Sequence, residues 1–270
     1  MNSERDRVEH QPTSLTVVTP VNNEEILAAN LAVSPLFSDG QVPLVVKKEY
    51  PSASIAYNEG LDEAESDIVV CVHQDVYLPR DWEQKLFFTI RLLESRGQTW
   101  GALGVIGADK DGKCVGGAWS NGLQRKIVTK FASPAPVRSF DEIVLVLRKS
   151  SGVRFDEDLP GFHLYGTDIA QSAIRAGLGA YVFDGPVVHN PLWRKKLGKS
   201  YVEGWRYLRR KWWSELPIYT LVLPITRSSW PIARNWCREK KKWLVRQFKP
   251  MPPRVHHPDP ALKARELGYE

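Results

Sequence analysis

The chain has 270 residues, of which 43% are hydrophobic and 25% are charged. This balance supports a buried core and excludes a fibrous or wholly disordered protein. The net charge of +6 suits an anionic partner, such as a nucleotide diphosphate, phospholipid headgroups or nucleic acid, without choosing among them. Three dispersed cysteines, without a CxxC pair, argue against a disulfide framework or structural zinc and indicate a reducing, cytoplasmic compartment.

The N-terminal half predicts alternating strands and helices. A polar leader, 1–13, lacks the apolar stretch of a signal peptide. Strands are predicted at 15–19, 42–46 and 68–72, and helices at 24–32, 54–64 and 80–93. This alternation is typical of βαβ units, so we expect an α/β fold with a mostly parallel central sheet flanked by helices.

The second half is more extended and ends in a basic region. Strands are predicted at 103–106, 115–118, 127–131 and 143–147, followed by a helix at 168–176 and strands at 181–183 and 187–189. After residue 190 the sequence becomes basic and rich in tryptophan, and its longest apolar run, 216–225, is too short to span a bilayer. We therefore predict a disordered leader (1–13), an α/β domain (14–190) and a basic, tryptophan-rich helical C-terminal extension (191–270).

Two polar clusters follow predicted strands, at the sheet edge where open α/β sheets bind ligands. The first, Thr19 to Glu24, offers backbone N–H groups at a helix start, which suit a nucleotide; an ordinary βα turn explains it equally well. The second contains His73 and Asp75, whose side chains point to the same side and could share a divalent cation, with Mn²⁺ favoured over Mg²⁺. In the alternative interpretation, Asp75 caps a turn and His73 is a core histidine.

Two further residues are candidates for chemistry. Asp168 begins a predicted helix, where it either complements the helix dipole or acts as a general base facing the cleft. His189 closes a short strand before Asn190, a position that a surface histidine also commonly takes.

The order of these clusters resembles the family 2 inverting glycosyltransferases of GT-A fold, in the branch whose metal motif reads His-Gln-Asp. The segments that carry the resemblance are VVTPVNNEE, SIAYNEGLDEAESDIVVCVHQDVYLP, FDEDLPGFHLYGTDIAQSAIRAG and PVVHN, which together cover about residues 15–192. The chain departs from the family in three places. His73 replaces an aspartate, Thr167 stands where many relatives have glutamate, and Lys47-Lys48 replaces an acidic residue.

The resemblance implies a role for each matching residue. Asp75 would bind a divalent cation that bridges the donor phosphates, with His73 beside it and His189 completing the site. Asp168 would deprotonate the acceptor hydroxyl. The donor nucleotide would contact residues of the first loop, one helix and the segment after the last strand: Thr19, Pro20, Val21, Asn23, Glu24, Asn58, Arg194 and Lys195.

The resemblance therefore predicts a metal-assisted enzyme of polysaccharide biosynthesis. It would transfer a sugar, with inversion, from a nucleotide-diphosphate donor to a glycan or lipid-linked acceptor. A nucleotidyltransferase is less favoured because its first loop would carry glycine and lysine. Two hypotheses without catalysis also fit the sequence: a degenerate GT-A domain that binds without turnover, and a membrane- or nucleic-acid-binding module.

The C-terminal extension interleaves aromatic and cationic residues. This pattern suits a helix on an anionic membrane surface, anchored through Trp236, Trp243, Val245 and Phe248, and would place the protein peripherally on the inner face of the cell membrane. Alternatively, these helices pack on the catalytic domain. No nucleic-acid partner is expected.

Overall fold

The computed structural model describes residues 14–191, 197–248 and 259–270, so the predicted leader lies outside the described residues. The strands are β1 (Leu15–Val21), β2 (Leu44–Lys48), β3 (Ile68–Val72), β4 (Val76–Tyr77), β5 (Trp100–Gly104), β6 (Ile106–Ala108), β7 (Cys114–Ser120), β8 (Arg125–Val128), β9 (Ala135–Pro136), β10 (Ser139–Phe140), β11 (Val144–Arg148), β12 (Gly179–Val182) and β13 (Val187–His189). The helices are α1 (Glu24–Ala29), α2 (Ala53–Glu63), α3 (Trp82–Ser95), α4 (Tyr165–Arg175), α5 (Lys199–Lys211), α6 (Trp230–Phe248) and α7 (Pro260–Glu266).

The thirteen strands of the described residues form two sheets. The larger has the order β2-β1-β3-β11-β5-β12-β9, and the smaller has the order β10-β6-β7-β13-β4, with β8 added to β7. The α/β class predicted from the sequence is confirmed. The sheet is mixed rather than mostly parallel, because β11 enters between β3 and β5 and runs antiparallel to both.

Hydrophobic cores cover both faces of the larger sheet. Along β3, Val69 and Cys71 face one core, while Ile68, Val70 and Val72 face the other. This alternation is the two-residue period of a strand, and burial on both faces explains why β3 is a continuous apolar run. Helices α2, α4 and α5 supply the first core, and α3 supplies the second.

Close packing of α2 on β1 depends on a glycine. A Cβ atom at Gly60 would lie 2.2 Å from a methyl carbon of Val18, too close for any side chain. Glycine therefore lets the helix approach the strand whose C-terminal end carries the first polar loop.

Several predicted boundaries differ from the observed ones. The strand expected at 103–106 is divided between β5 and β6, and the helix expected at 80–93 begins at Trp82 and continues to Ser95. The short strands β4, β9 and β10 were not predicted. Each is two residues long, so it lacks a periodic pattern of its own and is formed by pairing with distant strands.

The first part of the C-terminal extension is built into the main core. Tyr201, Trp205, Leu208 and Trp212 are all buried together with residues of α4. For α5, the structure therefore agrees with the interpretation in which these aromatic residues pack on the rest of the fold. Among the described residues, no helix is both long and apolar enough to cross a bilayer.

Candidate active site

Three potential metal ligands converge beside the C-terminal end of β3. Strand β4 pairs antiparallel with β13 and places Val76 opposite His189, while the Asn190 N–H donates to the Asp75 carbonyl at 2.8 Å. The Asp75 Oδ1 atom consequently lies 3.4 Å from His189 Nε2 and 4.0 Å from His73 Nδ1. One ligand atom from each residue falls within 4.8 Å of the others. The structure therefore brings together the three residues that the sequence singled out, and their role as metal ligands stays a prediction.

The electrostatics of this group suit a cation. Burial opposes ionisation of Asp75, but the two histidines outweigh it and lower the pKa of Asp75 to about 2. Burial lowers the pKa of His73, which favours its neutral, ligating form. Burial also acts to lower the pKa of His189, but contact with Asp75 raises it overall. An anionic oxygen with two imidazole nitrogens is a donor set that fits Mn²⁺ or another first-row divalent ion.

Tyr165 determines which nitrogen of His73 is available. Its hydroxyl lies 2.7 Å from His73 Nε2 and donates to the Glu142 carbonyl at 3.1 Å. A hydroxyl has one hydrogen, so Tyr165 must accept from His73 and the proton of the neutral ring resides on Nε2. The lone pair on Nδ1 is therefore left facing Asp75. A hydrogen-bonded partner of this kind commonly orients a metal-ligating histidine.

Gln74 joins the turn that carries His73 and Asp75 to the loop after β1. Its Oε1 accepts from the backbone N–H groups of Asn22 and Asn23, at 3.1 and 3.2 Å, and its Nε2 donates to Asn22 Oδ1 at 2.6 Å. The two clusters that the sequence singled out separately thus form one continuous edge. The role of Gln74 was not predicted, although its position between His73 and Asp75 was a signal.

The other loop residues take distinct positions. Thr19 is buried at the end of β1, with a hydroxyl that has no hydrogen-bond partner among the described residues. Pro20 is half-buried and Val21 is buried. Asn23 caps α1 by accepting from the Ile26 N–H. Glu24 is exposed and pairs with Lys48, the residue found where an acidic one was expected.

Asp168 is held by α5. Its carboxylate, only 1% exposed, accepts from Trp212 Nε1 at 2.7 Å and contacts Lys211 Nζ at 2.8 Å. Lys211 also pairs with Asp156 at 2.6 Å, and Tyr207 donates to the same Asp156 oxygen. Burial raises the pKa of Asp168, although Lys211 acts in the opposite direction. Asp168 therefore anchors α5 in this structure, and its role as a base stays a prediction.

Asn58, one of the residues expected to contact the donor nucleotide, is not brought to the group of His73, Asp75 and His189. Asn58 is buried in α2, where its amide donates to the Phe155 carbonyl and to Glu157 and accepts from the Phe155 N–H. This use of all its polar atoms fixes the chain after β11. Arg194 and Lys195 lie outside the described residues.

Glu142 is a second buried carboxyl group near the metal site that sequence reasoning missed. Its side chain accepts from the Leu164 N–H at 2.8 Å, just before α4. Burial and the neighbouring Asp141 raise the pKa of Glu142 to about 8. A carboxyl group that favours its neutral form here helps to fix the start of the helix that carries Tyr165.

Comparisons with known proteins give partial similarities. No family model matches the chain. A protein of Fuscovulum blasticum described as "ATP synthase subunits region ORF 6" is 27% identical over 142 residues, which cover 49% of this chain and 55% of that protein. The chain thus spans about half the length of this curated relative.

Three solved structures share the general arrangement. They are a mannosyltransferase, PcManGT from Pyrobaculum calidifontis, in complex with GDP-Man and Mn²⁺ (13% identity, 97% of this chain and 81% of that one, TM-score 0.47); GalNAc-T7 with UDP, GalNAc and Mn²⁺ (13%, 75% and 49%, 0.48); and TarS from S. aureus (12%, 73% and 65%, 0.45). At these identities and TM-scores, the similarities do not assign the chain to a family.

Proposed function

We propose that the protein is a metal-dependent glycosyltransferase of GT-A type. It would transfer a sugar, with inversion, from a nucleotide-diphosphate donor to a hydroxyl group of a glycan or lipid-linked acceptor. The observation that carries this proposal is the convergence of His73, Asp75 and His189 at a sheet edge tied by Gln74 to the β1–α1 loop. A cation site beside a helix-start loop suits a diphosphate.

In this proposal each group has a defined task. His73 Nδ1, Asp75 Oδ1 and His189 Nε2 would hold the cation, and Gln74 keeps the loop after β1 in register with them. When bound, the divalent ion supplies positive charge that offsets the charge growing on the leaving diphosphate. Asp168 accepts the proton of the attacking acceptor hydroxyl.

The donor site is tested by nucleotide binding. UDP, GDP, dTDP and CDP would each be titrated calorimetrically with Mn²⁺, Mg²⁺ or a chelator. We expect one nucleotide to bind tightly with the metal and at least about tenfold more weakly without it, because a cation held beside the donor loop would add its positive charge to the attraction of the diphosphate. Asp75→Asn should abolish this metal dependence, whereas Asp111→Asn, at an exposed loop carboxylate, should not. Metal-independent binding of all four nucleotides would contradict the proposed site.

The role of Asp168 requires a control for its contacts with α5. Asp168→Asn removes a carboxylate but keeps an acceptor for Trp212, and Asp156→Asn removes the other carboxylate that contacts Lys211. If Asp168 is the base, its variant should lose about 10²- to 10⁴-fold in kcat. The Asp156 variant should lose little activity at a comparable melting temperature. Equal losses in the two variants would reject Asp168 as the base.

A second candidate is a degenerate GT-A domain that binds nucleotide without turnover. The observation that favours it is the burial of Asp168 under Lys211 and Trp212. This candidate predicts tight, metal-dependent nucleotide binding, but no release of nucleoside diphosphate from any donor sugar, including slow hydrolysis in the absence of acceptor. Detectable hydrolysis of the matching donor would exclude it.

We also propose that the enzyme works in the cytoplasm, in polysaccharide biosynthesis. Support for a reducing compartment comes from its three cysteines, which are free in the structure. Fractionation of cells that express the tagged chain would test this location. Recovery of the chain from an oxidising compartment, with cysteines that no longer react as free thiols, would contradict the cytoplasmic location.

A further inference from the structure

Helix α6 presents two different faces. Its side chains are described as far as residue 241, so three of the predicted membrane anchors, Trp243, Val245 and Phe248, lie outside the described side chains. Within the described part, Ile232, Asn235 and Glu239 form the half-buried inner stripe, at helical spacing. Ile232 packs against the first core, together with residues of α4 and α5. The helix is therefore fixed to the domain by one side, and the opposite side faces outward.

The outward face is cationic and aromatic. Its centre contains Trp230 (67% exposed), Arg234 and Lys241 at helical spacing. Arg238 lies at one edge, and Lys240 and Trp236 (59% exposed) lie at the other edge, next to the inner stripe. Lys240 Nζ lies 3.7 Å from the centre of the Trp236 ring. The single acidic residue of segment 230–241, Glu239, belongs to the inner stripe. Charged residues are usual on the exposed side of a helix that packs by one face, but packing requires neither charges of a single sign nor two exposed tryptophans.

We propose that the outward face of α6 lies on an anionic lipid bilayer. Tryptophan is favoured at the boundary between headgroups and hydrocarbon, where the ring is buried and its N–H stays hydrated. The four cations on the same face match anionic headgroups, and they have no acidic neighbours on the described face to repel a lipid phosphate. A nucleic-acid duplex would satisfy the cations, but its base faces are stacked on one another, so the two large rings would lack a matching apolar surface. A bilayer satisfies both.

The full-length chain would be tested by flotation with vesicles of phosphatidylcholine alone or with about 30% phosphatidylglycerol. We expect binding only to the anionic vesicles, weakened by salt. Replacing the four α6 cations with Gln should reduce partitioning by about fivefold per charge, or at least about 100-fold in total. The matched control replaces four exposed cations of the β6–β8 region, at Lys110, Lys113, Arg125 and Lys130, with Gln and should bind nearly normally.

Cys237 allows the polarity around the outward face of α6 to be measured directly. It is exposed between the cations, whereas Cys71 is buried, so a polarity-sensitive dye can be attached to it in a Cys114→Ser background. The dye emission should shift to the blue on anionic vesicles, and Trp236→Ala should weaken binding about tenfold without altering the melting temperature. The proposal is overturned if both four-charge variants lose binding equally, or if the dye does not respond. It is also overturned if a labelled oligonucleotide binds α6 more tightly than the vesicles do. None of these measurements requires glycosyl transfer.

Discussion

Tyr165→Phe tests the geometry of the metal group most directly. The substitution removes the Tyr165 hydroxyl group. In the native protein this hydroxyl accepts from the Nε2–H of His73, which fixes the ring, and donates to the Glu142 carbonyl. Without it, His73 is free to change tautomer, so its Nδ1 is no longer held as a ligand. Partners of metal-binding histidines typically contribute about 10- to 100-fold to affinity, which corresponds to roughly 1.4–2.7 kcal/mol. We therefore expect Mn²⁺ to bind at least about tenfold more weakly.

The assay is calorimetric titration of Mn²⁺ into the nucleotide-free protein. Tyr207→Phe is the matched control, because it removes a tyrosine hydroxyl that bonds to Asp156 instead of a metal ligand. The cost to folding should be about 1 kcal/mol for either variant. If Tyr165 acts through His73, then Tyr165→Phe should have no further effect on Mn²⁺ affinity in a His73→Ala background. Unchanged Mn²⁺ affinity in the single variant, or full additivity in the double, would refute the reasoning.

Three other predictions follow from the same contacts. Gln74→Ala removes three hydrogen bonds between the turn that carries His73 and Asp75 and the loop after β1. Nucleotide affinity in the presence of Mn²⁺ should therefore fall about tenfold. The affinity for Mn²⁺ itself, measured by calorimetry, should stay within about twofold. The pKa of Asp75 falls from 3.8 to about 2 on folding. This carboxylate therefore stabilises the folded state above about pH 4, by roughly 2 kcal/mol, and the stabilisation is lost as the pH falls towards 2. Urea unfolding of Asp75→Asn should show a deficit at neutral pH that shrinks at about pH 2.5, and a constant deficit would contradict this. Lys211→Met leaves Asp168 buried without its cation, so the free energy of unfolding should fall by about 3 kcal/mol, as measured in urea. Much of that loss should return when Asp168→Asn is added, and a fully additive double variant would show that the pair is not coupled.

The parts of the fold that sequence predicts are those with a local pattern. Strand β3 was recognisable because all five of its residues are apolar, which follows from the two cores that cover its faces. Helix α4 was recognisable from its period, although the observed helix begins three residues before Asp168. The direction of β11 was not predictable in this way. An apolar strand has the same composition whether it runs parallel or antiparallel to its neighbours.

In the candidate site, too, the residues that a local sequence pattern indicates can be separated from the contacts that depend on distant parts of the chain. The order of the polar clusters pointed to His73, Asp75 and His189 before any geometry was known. The contact between Asp75 and His189 nevertheless depends on β4, a two-residue strand that forms by pairing with the distant β13. The bond from Tyr165 to His73 likewise joins residues 92 positions apart. Neither interaction leaves a periodic signal in the sequence.

Asp168 shows why a residue's position in a motif does not determine what it does. A carboxylate in the first turn of a helix is favoured by the helix dipole, whether it anchors a neighbouring helix or accepts a substrate proton. The structure adds that Lys211 and Trp212 occupy both of its oxygens. One turn earlier, Tyr165 contacts the metal ligand His73, so the start of α4 links the metal group to α5. A base at this position would therefore have to exchange the Lys211 contact for the acceptor hydroxyl. Docking of α5 and proton transfer would then compete for one carboxylate, which is why the Asp156→Asn control decides between the two roles.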